Sequence, residues 1–377
     1  MGRFAIVDEE TIRNGDCTDV YFVRTGDILE RTGHNPPVVM EVTAGWLTGG
    51  WGVFCGLNDV IALLNGRPVD VHAMPEGTIF RNNEPVLRIE GRYCDIARFE
   101  TAILGFVCHA SGIASAAARI RSCAGGRSVY SFGSRRQHPA IATMVERAAW
   151  IGGVDGVSNT CAPEDLPRAG TMPHSYVLCC GTPEEAFRLF AREAPADIPR
   201  IMLADTCCDE KREALAAARA GATAVRLDTP RSRRGDMRAI IEEVRWELDA
   251  AGYPGVGIFL SGGVTREDVV LFRDIIDAFG IGGAIANAPV IDFAMDIVER
   301  DGIACAKRGK RSGAKQVYLL PGGEHRMAPA SQPPPPEGVP LLQYYIKGGK
   351  VLRDSPLTEA RERVISALDR METQESP

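Results

Sequence analysis

The stretch RIMLADTCCDEKREALAAARAGATAVRLD, residues 200–228, contains two short apolar runs on either side of an alanine-rich helical pattern. The runs RIMLAD and ATAVRLD have the length and composition of buried strands, and the segment DEKREALAAARA between them has the spacing of an amphipathic helix. A strand, a helix and a second strand in this order predict a βαβ unit with parallel strands.

The same alternation extends along the chain from about residue 128. Amphipathic helical patterns lie between most of the apolar runs, the clearest being DMRAIIEEVRWELDAA and REDVVLFRDIIDAFG. About seven βα units of this kind fit a closed parallel barrel better than an open sheet. The predicted strands are SVYSFGS, GVDGVSN, AGTM, RIMLAD, ATAVRLD, GVGIFLSGG and GIGGAIANA.

The regions on either side of the barrel have a different character. Residues 1–110 include AMPEGTIFRNNEPVLRIEGRY, at 73–93, whose apolar residues alternate with Gly, Pro and Asn as in short antiparallel strands. Residues 301–377 contain the linker SQPPPPEGVP, a strand-like LLQYYIKGGKVL and a charged tail. The sequence therefore predicts an N-terminal α+β domain at 1–110, a barrel domain at 111–300 and a C-terminal extension at 301–377.

Composition narrows the class of protein. The chain has 43 Lys and Arg against 49 Asp and Glu, a net charge of -6, so a polyanionic partner such as nucleic acid is not expected. The N-terminus has no signal-peptide pattern, and no stretch approaches the ~20 apolar residues that span a bilayer, which predicts a cytoplasmic protein without a membrane partner. The eleven cysteines include no C-x-x-C pair, and only Cys305 lies beyond residue 208, so we expect reduced thiols and no structural zinc.

Polar side chains collect where the predicted strands end, which is the edge of a parallel barrel that carries its chemistry. Glycine turns after the last two strands, Gly262–Gly263 and Gly282–Gly283, are typical of a phosphate site built from backbone amides. The other residues at predicted strand ends are Phe132, Arg135, Arg136, Ser158, Asn159, Thr171, His174, Asp205, Thr206, Arg226 and Asp228.

An ordinary structural role is open to each of these residues. The two arginines could form surface ion pairs, the two aspartates could cap the helices that follow them, and a lone histidine is more often packed than catalytic. Lysine is informative by its absence. The first lysine of the chain, Lys211, begins a helix, so no predicted strand offers a Schiff-base lysine and an aldolase-type mechanism is disfavoured.

The order of these motifs resembles the nicotinate phosphoribosyltransferase family, and particularly its shorter archaeal-type members, over residues 15–318. The resemblance implies an irregular α/β barrel beside an N-terminal α+β domain. It also implies transfer of phosphoribose from phosphoribosyl pyrophosphate to nicotinate in NAD salvage, giving nicotinate mononucleotide and pyrophosphate. The segments that carry it are DVYFVRT, ETAILGFVCHASGIA, FGSRRQHP, GGVDGVSN, GTMPHSYV, VRLDTPRSRRGD, SGG and AFGIGGAIANAPVIDFAMDIVE.

The same resemblance implies roles for individual residues. His174 is the expected acceptor of a phosphoryl group from ATP, a co-substrate whose hydrolysis would drive the transfer. Asp228 and Arg226 are expected at the ribose, and Asp205 with Asp228 at a magnesium ion bound through the substrate. The glycine turns would hold the 5′-phosphate. The remaining substrate-binding residues would be Tyr21, Phe132, Arg135, Arg136, Ser158, Asn159, Thr171 and Thr206.

The resemblance also implies an assembly, because Tyr21 from a neighbouring subunit would sandwich the pyridine ring against Phe132. A homodimer or higher homo-oligomer is therefore expected.

Three alternatives stay open. Transfer to nicotinamide would favour an aspartate where this chain has Ser158, because an aspartate accepts an amide N–H and repels a carboxylate. Transfer to quinolinate would favour a denser basic pocket with lysines. A non-catalytic regulator that binds a pyridine nucleotide would not need to keep His174, Arg226, Asp228 and the glycine turns. Nicotinate phosphoribosyltransferase activity is therefore the expectation.

Overall fold

The computed structural model describes residues 4–228 and 235–375, so that positions 229–234 of the motif VRLDTPRSRRGD lie outside the described residues. The described chain forms two compact units. The first unit contains residues 4–115 and 289–375, and the second unit contains residues 116–288. These boundaries differ from those read from the sequence, because the C-terminal residues return to the N-terminal unit.

The helices in chain order are α1 (Glu9–Arg13), α2 (Val20–Thr32), α3 (Leu57–Leu64), α4 (Tyr93–Ala97), α5 (Glu100–Cys123), α6 (Ala142–Ile151), α7 (His174–Cys180), α8 (Pro183–Glu193), α9 (Glu210–Arg219), α10 (Met237–Ala250), α11 (Arg266–Phe272), α12 (Gly283–Ala286) and α13 (Leu357–Glu375).

The strands in chain order are β1 (Pro37–Ala44), β2 (Trp51–Val53), β3 (Asp70–Ala73), β4 (Ile79–Arg81), β5 (Pro85–Arg92), β6 (Ser128–Ser131), β7 (Gly156–Val157), β8 (Ile201–Leu203), β9 (Ala224–Leu227), β10 (Gly257–Leu260), β11 (Ala278–Ile281), β12 (Phe293–Arg300), β13 (Ile303–Ala304), β14 (Lys315–Leu319), β15 (His325–Pro329), β16 (Val339–Pro340), β17 (Gln343–Lys347) and β18 (Lys350–Val351).

The second unit is built on a six-stranded parallel sheet with the order β7-β6-β11-β10-β9-β8. Strands β9, β10 and β11 each bury three of their four residues, as expected for strands covered on both faces. The helices between them begin at side-chain caps: Asp209 accepts the amide of Lys211 before α9, and Thr265 forms a capping box with Asp268 at α11. The αβ alternation predicted from the sequence is confirmed.

Closure of the barrel is not confirmed, because the sheet is a curled half-barrel with β7 and β8 at its edges. The predicted strand AGTM is absent from the sheet ladder of the described residues. An isolated parallel bridge joins Val157 to Arg168 just before this segment, and α7 begins soon after it, at His174. Pro173 directly follows AGTM and has no N–H to donate to a ladder, so the segment cannot continue as a paired strand before α7 begins.

The first unit is an α+β structure around a seven-stranded sheet with the order β13-β12-β1-β5-β3-β17-β18. One face of this sheet packs on helix α3 residues such as Leu57 and Leu64 in a core that includes Val42, Val71 and Ile89. Residues 301–377, which the sequence sets apart as an extension, supply β17 and β18 to this sheet, and also the small sheet β15-β14-β16. The α+β character predicted for the N-terminal region is therefore extended to the C-terminal segment.

Helix α5 has 24 residues and a largely apolar sequence. By length and composition it could cross a membrane, and it is the one such helix in the part of the chain that the structure describes. However, 56% of its most apolar 18-residue stretch is buried inside the protein, including Ile103, Val107 and Ile113. This is the burial of a core helix.

Candidate functional site

The carboxyl ends of β8, β9 and β10 lie side by side at one edge of the parallel sheet. Leu203 pairs with Arg226, and Leu227 pairs with Leu260, so the residues that follow these strands emerge together. These following residues are Asp205, Asp228 and Ser261. The position is the one that the sequence predicted for chemistry.

Arg226 organises this edge from within the sheet. Its Nη1 donates to Oδ1 of Asp228 at 2.8 Å and to Oγ of Ser261 at 3.0 Å, and its Nη2 donates to the carbonyl oxygen of Met172 at 2.9 Å. The side chain is 9% exposed. Burial lowers the pKa of Arg226, and the charges of Asp228 and Asp205 oppose this effect. The guanidinium therefore holds Asp228 in a fixed orientation through charge-assisted hydrogen bonds.

Asp205 and His174 complete the arrangement. Oδ2 of Asp205 accepts the backbone N–H of Asp228 at 2.7 Å. The Nε2 atom of His174 lies 3.5 Å from Oδ2 of Asp228 and 3.9 Å from Oδ1 of Asp205, and its Nδ1 lies 3.1 Å from Oγ1 of Thr206. These five residues, Arg226, Asp228, Asp205, His174 and Thr206, form one group that we call the carboxylate cluster.

The cluster has the donor set for a shared divalent cation. Asp205 and Asp228 each turn one carboxylate oxygen towards the same imidazole nitrogen. Mg²⁺ is usually held by one or two carboxylates together with substrate phosphates and water, and seldom by a complete protein cage. Among residues 4–228 and 235–375 there is no group of three or more His, Cys, Asp or Glu that could hold a metal ion. The two carboxylates are the candidate protein ligands for a Mg²⁺, and binding of that ion stays a prediction.

A second group of predicted residues follows β6. The ring of Phe132 stacks on Phe259 with centroids 5.9 Å apart and an interplanar angle of 8°. Arg135 and Arg136 lie on the next turn, Ser134–Arg136, with both side chains exposed to solvent. An aromatic ring and two exposed cations therefore lie close together in sequence after the same strand.

The loop after β7 is tied to that turn. Nδ2 of Asn159 donates to Oγ of Ser134 at 2.9 Å, while Ser158 is exposed. Glu146 of α6 is fully buried beneath both loops; burial raises the pKa of its carboxyl, and hydrogen bonds from Ser131 and Ser134 and from the backbone at 158–159 oppose the rise. Sequence reasoning missed Glu146, because a glutamate in a helix normally indicates a solvated face.

The two glycine turns have different geometry. Gly262 and Gly263 have φ of +87° and +75°, a left-handed conformation that only glycine adopts without strain. Gly282 and Gly283 instead begin the single turn α12, and a Cβ on Gly133 would lie 2.8 Å from the carbonyl oxygen of Gly282. The first turn therefore requires glycine, whereas the close approach at the second turn requires glycine at position 133. The role of both turns in holding a 5′-phosphate stays a prediction.

Tyr21 and Thr171 are not members of the carboxylate cluster as defined above. Tyr21 belongs to α2 of the first unit, where its side chain is 55% exposed and its hydroxyl donates to Oδ2 of Asp19 at 3.4 Å. Its stacking on a base bound to another subunit stays a prediction. The hydroxyl of Thr171 donates to the carbonyl oxygen of Met172 at 3.3 Å, so it contacts the segment before His174 and not the cluster itself.

Sequence reasoning also missed Ser261 and Glu213. Ser261 precedes the glycine turn in the motif SGG, but only the glycines were assigned a role; its hydroxyl also donates to Oδ1 of Asp228. Glu213 lies in a helix pattern and carries no motif, although it contacts the loop of Thr206.

Comparison with known proteins places the chain in a family. The model of the quinolinate phosphoribosyl transferase N-terminal domain matches residues 19–111, and the model of the C-terminal domain of the same family matches residues 113–296. The crystal structure of nicotinate-nucleotide pyrophosphorylase from Pyrococcus furiosus is 48% identical, covers 99% of both chains and superposes with a TM-score of 0.96.

Nicotinate phosphoribosyltransferases are also similar to this chain. Nicotinate phosphoribosyltransferase pncB2 of Mycobacterium tuberculosis is 34% identical over 262 residues, which are 66% of this chain and 55% of that protein. The chain thus matches about half the length of this relative. The human nicotinic acid phosphoribosyltransferase structure shares the fold, with a TM-score of 0.79, 21% identity and coverage of 94% of both chains.

These comparisons confirm the phosphoribosyltransferase resemblance in its broad form and correct its finer form. Nicotinate phosphoribosyltransferase as the main function is contradicted: both family models describe quinolinate phosphoribosyl transferase, and the similar nicotinate enzymes reach only 28–34% identity in the better matches, against 48% for the pyrophosphorylase structure. The alternative that named quinolinate is the better supported one. The chain belongs to the quinolinate phosphoribosyl transferase family.

Proposed function

We propose that the chain is a quinolinate phosphoribosyltransferase, equivalent to a nicotinate-nucleotide pyrophosphorylase. It takes quinolinate and phosphoribosyl pyrophosphate and releases nicotinate mononucleotide, pyrophosphate and carbon dioxide. The observation that supports it most directly is the carboxylate cluster at the sheet edge, in a chain similar over its whole length to a nicotinate-nucleotide pyrophosphorylase.

The transfer step places specific demands on this cluster. The pyridine nitrogen forms a bond to C1′ of the ribose while the bond from C1′ to pyrophosphate breaks, and positive charge develops on the ribose. The carboxylate of Asp228, oriented by Arg226, stabilises that charge because it is fixed before the reaction begins. Asp205 and Asp228 would hold a Mg²⁺ that binds together with the substrate, and such an ion would neutralise charge on the departing pyrophosphate.

Recognition of quinolinate requires cations for two adjacent carboxylates. Arg135 and Arg136 supply them beside the ring of Phe132, and planar guanidinium groups bind carboxylates in a bidentate manner. The scarcity of lysines, which the sequence analysis held against quinolinate, is therefore not an obstacle. After transfer, the carboxylate on C2 leaves as carbon dioxide, and a proton takes its place.

ATP hydrolysis and phosphorylation of His174 stay predictions that the resemblance alone made. The proposed reaction does not require them, because loss of carbon dioxide makes it effectively irreversible. In this proposal His174 holds the two carboxylates of the cluster at a fixed separation through Nε2, and the hydroxyl of Thr206 orients the ring.

The protein is proposed to act in the cytoplasm as a homodimer or larger homo-oligomer. The exposed ring of Tyr21 would reach the base bound to a neighbouring subunit. Replacement of Tyr21 by alanine is then expected to raise the KM for the base without changing stability.

A parallel assay tests the proposal. The pure protein is given Mg²⁺, phosphoribosyl pyrophosphate and one of three bases, namely quinolinate, nicotinate or nicotinamide, and nucleotide formation is followed by chromatography. Quinolinate is expected to yield nicotinate mononucleotide with one carbon dioxide for each pyrophosphate, without ATP. Nucleotide formation from nicotinate but not from quinolinate would refute the proposal.

A further inference from the structure

Three consecutive backbone amides after β8 converge on one buried carboxylate. The N–H of Thr206 donates to Oε2 of Glu213 at 2.8 Å, and the N–H groups of Cys207 and Cys208 donate to Oε1 at 2.5 and 2.7 Å. Glu213 is 2% exposed, although the side chains of Cys207 and Cys208 are open to solvent. The loop is thus held from its inner side by a single acidic group.

This arrangement resembles an anion-binding turn in which the carboxylate of Glu213 occupies the position of the anion. Successive N–H groups that point to one place form a concavity that favours negative charge, and each hydrogen bond to a carboxylate is stronger than one between neutral groups. Glu213 lies in the first helical turns of α9, where the helix dipole also favours an acidic side chain. Both effects fix the loop relative to α9.

The loop held in this way carries two members of the carboxylate cluster. Asp205 directly precedes Thr206, and Thr206 contacts Nδ1 of His174 at 3.1 Å. Asp205 in turn accepts the amide of Asp228 at 2.7 Å. Any shift of the three amides would therefore move a carboxylate and a hydroxyl that face His174.

We propose that Glu213 is a positioning residue for phosphoribosyl transfer, which acts by holding the 205–208 loop so that Asp205 and Thr206 face Asp228 and His174. In this proposal it acts through the three amides that it binds and not through contact with substrate or metal. This inference rests on the proposed function, since the reaction to be positioned is the one proposed for the cluster.

The test compares Glu213→Gln, Glu213→Asp and the control Glu243→Gln. The glutamine keeps the shape of the side chain but turns an N–H₂ group towards backbone N–H groups that need an acceptor. The aspartate keeps the charge on a shorter chain. Glu243 is a half-exposed glutamate on α10 that pairs with Lys211 at 2.8 Å, so its replacement removes one surface charge and one exposed ion pair but no contact of the 205–208 loop.

The measurements are kcat and KM with quinolinate and phosphoribosyl pyrophosphate, the thermal midpoint, and the amide proton shifts of residues 206–208 in labelled protein. Glu213→Gln is expected to lower kcat at least tenfold, to leave the KM for quinolinate within about twofold, and to move the three amide protons upfield. Glu213→Asp is expected to recover part of the lost kcat. The control is expected to match the wild type in all three readouts.

Several outcomes would overturn the inference. A kcat of folded Glu213→Gln within twofold of the control value would overturn it. A kcat that falls only in proportion to the unfolded fraction of the variant would also overturn it. If Glu213→Gln does not fold, Glu213→Asp provides the test. A folded Glu213→Asp with reduced kcat supports a positioning role. An unchanged kcat in Glu213→Asp, or failure of both variants to fold, would show that Glu213 has a purely structural role. A wild type that forms no nucleotide from any base would refute the proposed function and this inference together, whereas an active wild type with unaffected variants would refute this inference alone.

Discussion

The side chain of Asp205 accepts the backbone N–H of Asp228 at 2.7 Å, which joins the ends of two neighbouring strands through one carboxylate oxygen. The other oxygen, Oδ1, lies 3.9 Å from Nε2 of His174. Asp205 therefore has two separable roles. One oxygen sets the position of Asp228, and the other adds charge at the place where a magnesium-bound pyrophosphate is proposed to bind.

Replacement of Asp205 by asparagine separates these roles. The amide oxygen of asparagine can still accept the N–H of Asp228, so the fold is expected to persist, but the negative charge is lost. We expect kcat/KM for phosphoribosyl pyrophosphate to fall roughly a hundredfold and the Mg²⁺ concentration for half-maximal rate to rise. Steady-state kinetics at varied Mg²⁺ provide the measurement.

Asp209→Asn is the matched control for this variant. Asp209 lies four residues further along and caps α9, and asparagine caps a helix as well as aspartate does. The control is expected to keep the wild-type rate and Mg²⁺ dependence. Equal rates for Asp205→Asn and the control would remove Asp205 from the proposed chemistry.

Arg226 is expected to matter for stability as well as for rate. Arg226→Met removes three donors from buried partners and leaves Asp228 without its cation, which is expected to destabilise the protein by about 2–4 kcal/mol. Arg226→Lys keeps the charge, but one ammonium cannot reach all three acceptors at once, so an intermediate loss is expected. Urea denaturation measures the free energy of unfolding.

Arg219→Met is the control variant for Arg226→Met, because Arg219 is exposed at the end of α9. A loss below about 0.5 kcal/mol is expected for this surface site. If Arg226→Met lowered the free energy of unfolding by no more than this amount, Arg226 would contribute little to the stability of the sheet edge.

The sequence allowed the carboxylate cluster to be predicted because of where its residues stand along the chain. Asp205 and Asp228 each follow a run of buried apolar residues, and parallel strands bring such positions to one edge. Glu146 and Glu213 could not be found in this way. Glu213 contacts the loop that precedes its own helix, and Glu146 lies beneath the loops after β6 and β7. Nothing in a helical spacing distinguishes such a buried glutamate from a solvated one.

Prediction of the fold from the sequence is limited in the same way, because contacts between distant residues leave no local pattern. The βα alternation was predicted because buried strands and capped helices have local patterns. Closure was predicted wrongly because it depended on AGTM, which is not a strand and is followed directly by Pro173 and the start of α7 at His174. Return of β17 and β18 to the first unit depends on pairing between residues such as Tyr344 and His72, which are far apart in sequence.

His72 is expected to make stability depend on pH. Burial, assisted by the charge of Arg88 and opposed by that of Asp70, lowers the pKa of His72 from 6.5 to about 4. The unfolded chain therefore binds a proton at higher pH than the folded chain does. The contribution of His72, about 3 kcal/mol, is fully present above pH 6.5 and is lost as the pH falls towards 4.

Denaturation of the wild type and of His72→Gln from pH 7.5 to 4 measures this contribution. Burial also raises the pKa of Glu100 from 4.5 to about 7, which adds stability as the pH falls over an overlapping range. Because both proteins contain Glu100, its effect cancels in their difference. The difference in unfolding free energy is expected to shrink as the pH falls below 6.5, and a difference that stays constant would contradict the assignment.

The last prediction concerns the ring proposed to stack on the base. A Cβ on Gly280 would lie 2.4 Å from Cε2 of Phe132 and 2.8 Å from Cε1 of Phe259, closer than real Cβ contacts allow. Gly280→Ala must therefore push the Phe132 ring out of its stack on Phe259. Because β11 is a buried strand in the middle of the sheet, the ring has more freedom to move than the backbone has.

We expect the KM for quinolinate to rise at least fivefold in Gly280→Ala, with a stability loss of about 1–3 kcal/mol from overpacking. Gly255→Ala is the matched control, since a Cβ there meets no atom within 4 Å and its φ is not in the left-handed region. Kinetics with quinolinate varied at saturating phosphoribosyl pyrophosphate separate the two effects: a displaced ring weakens base binding, whereas a general loss of stability lowers the active fraction and leaves KM unchanged. An unchanged KM in Gly280→Ala would show that Phe132 does not bind the base, because its ring cannot keep its present position beside a methyl group at residue 280.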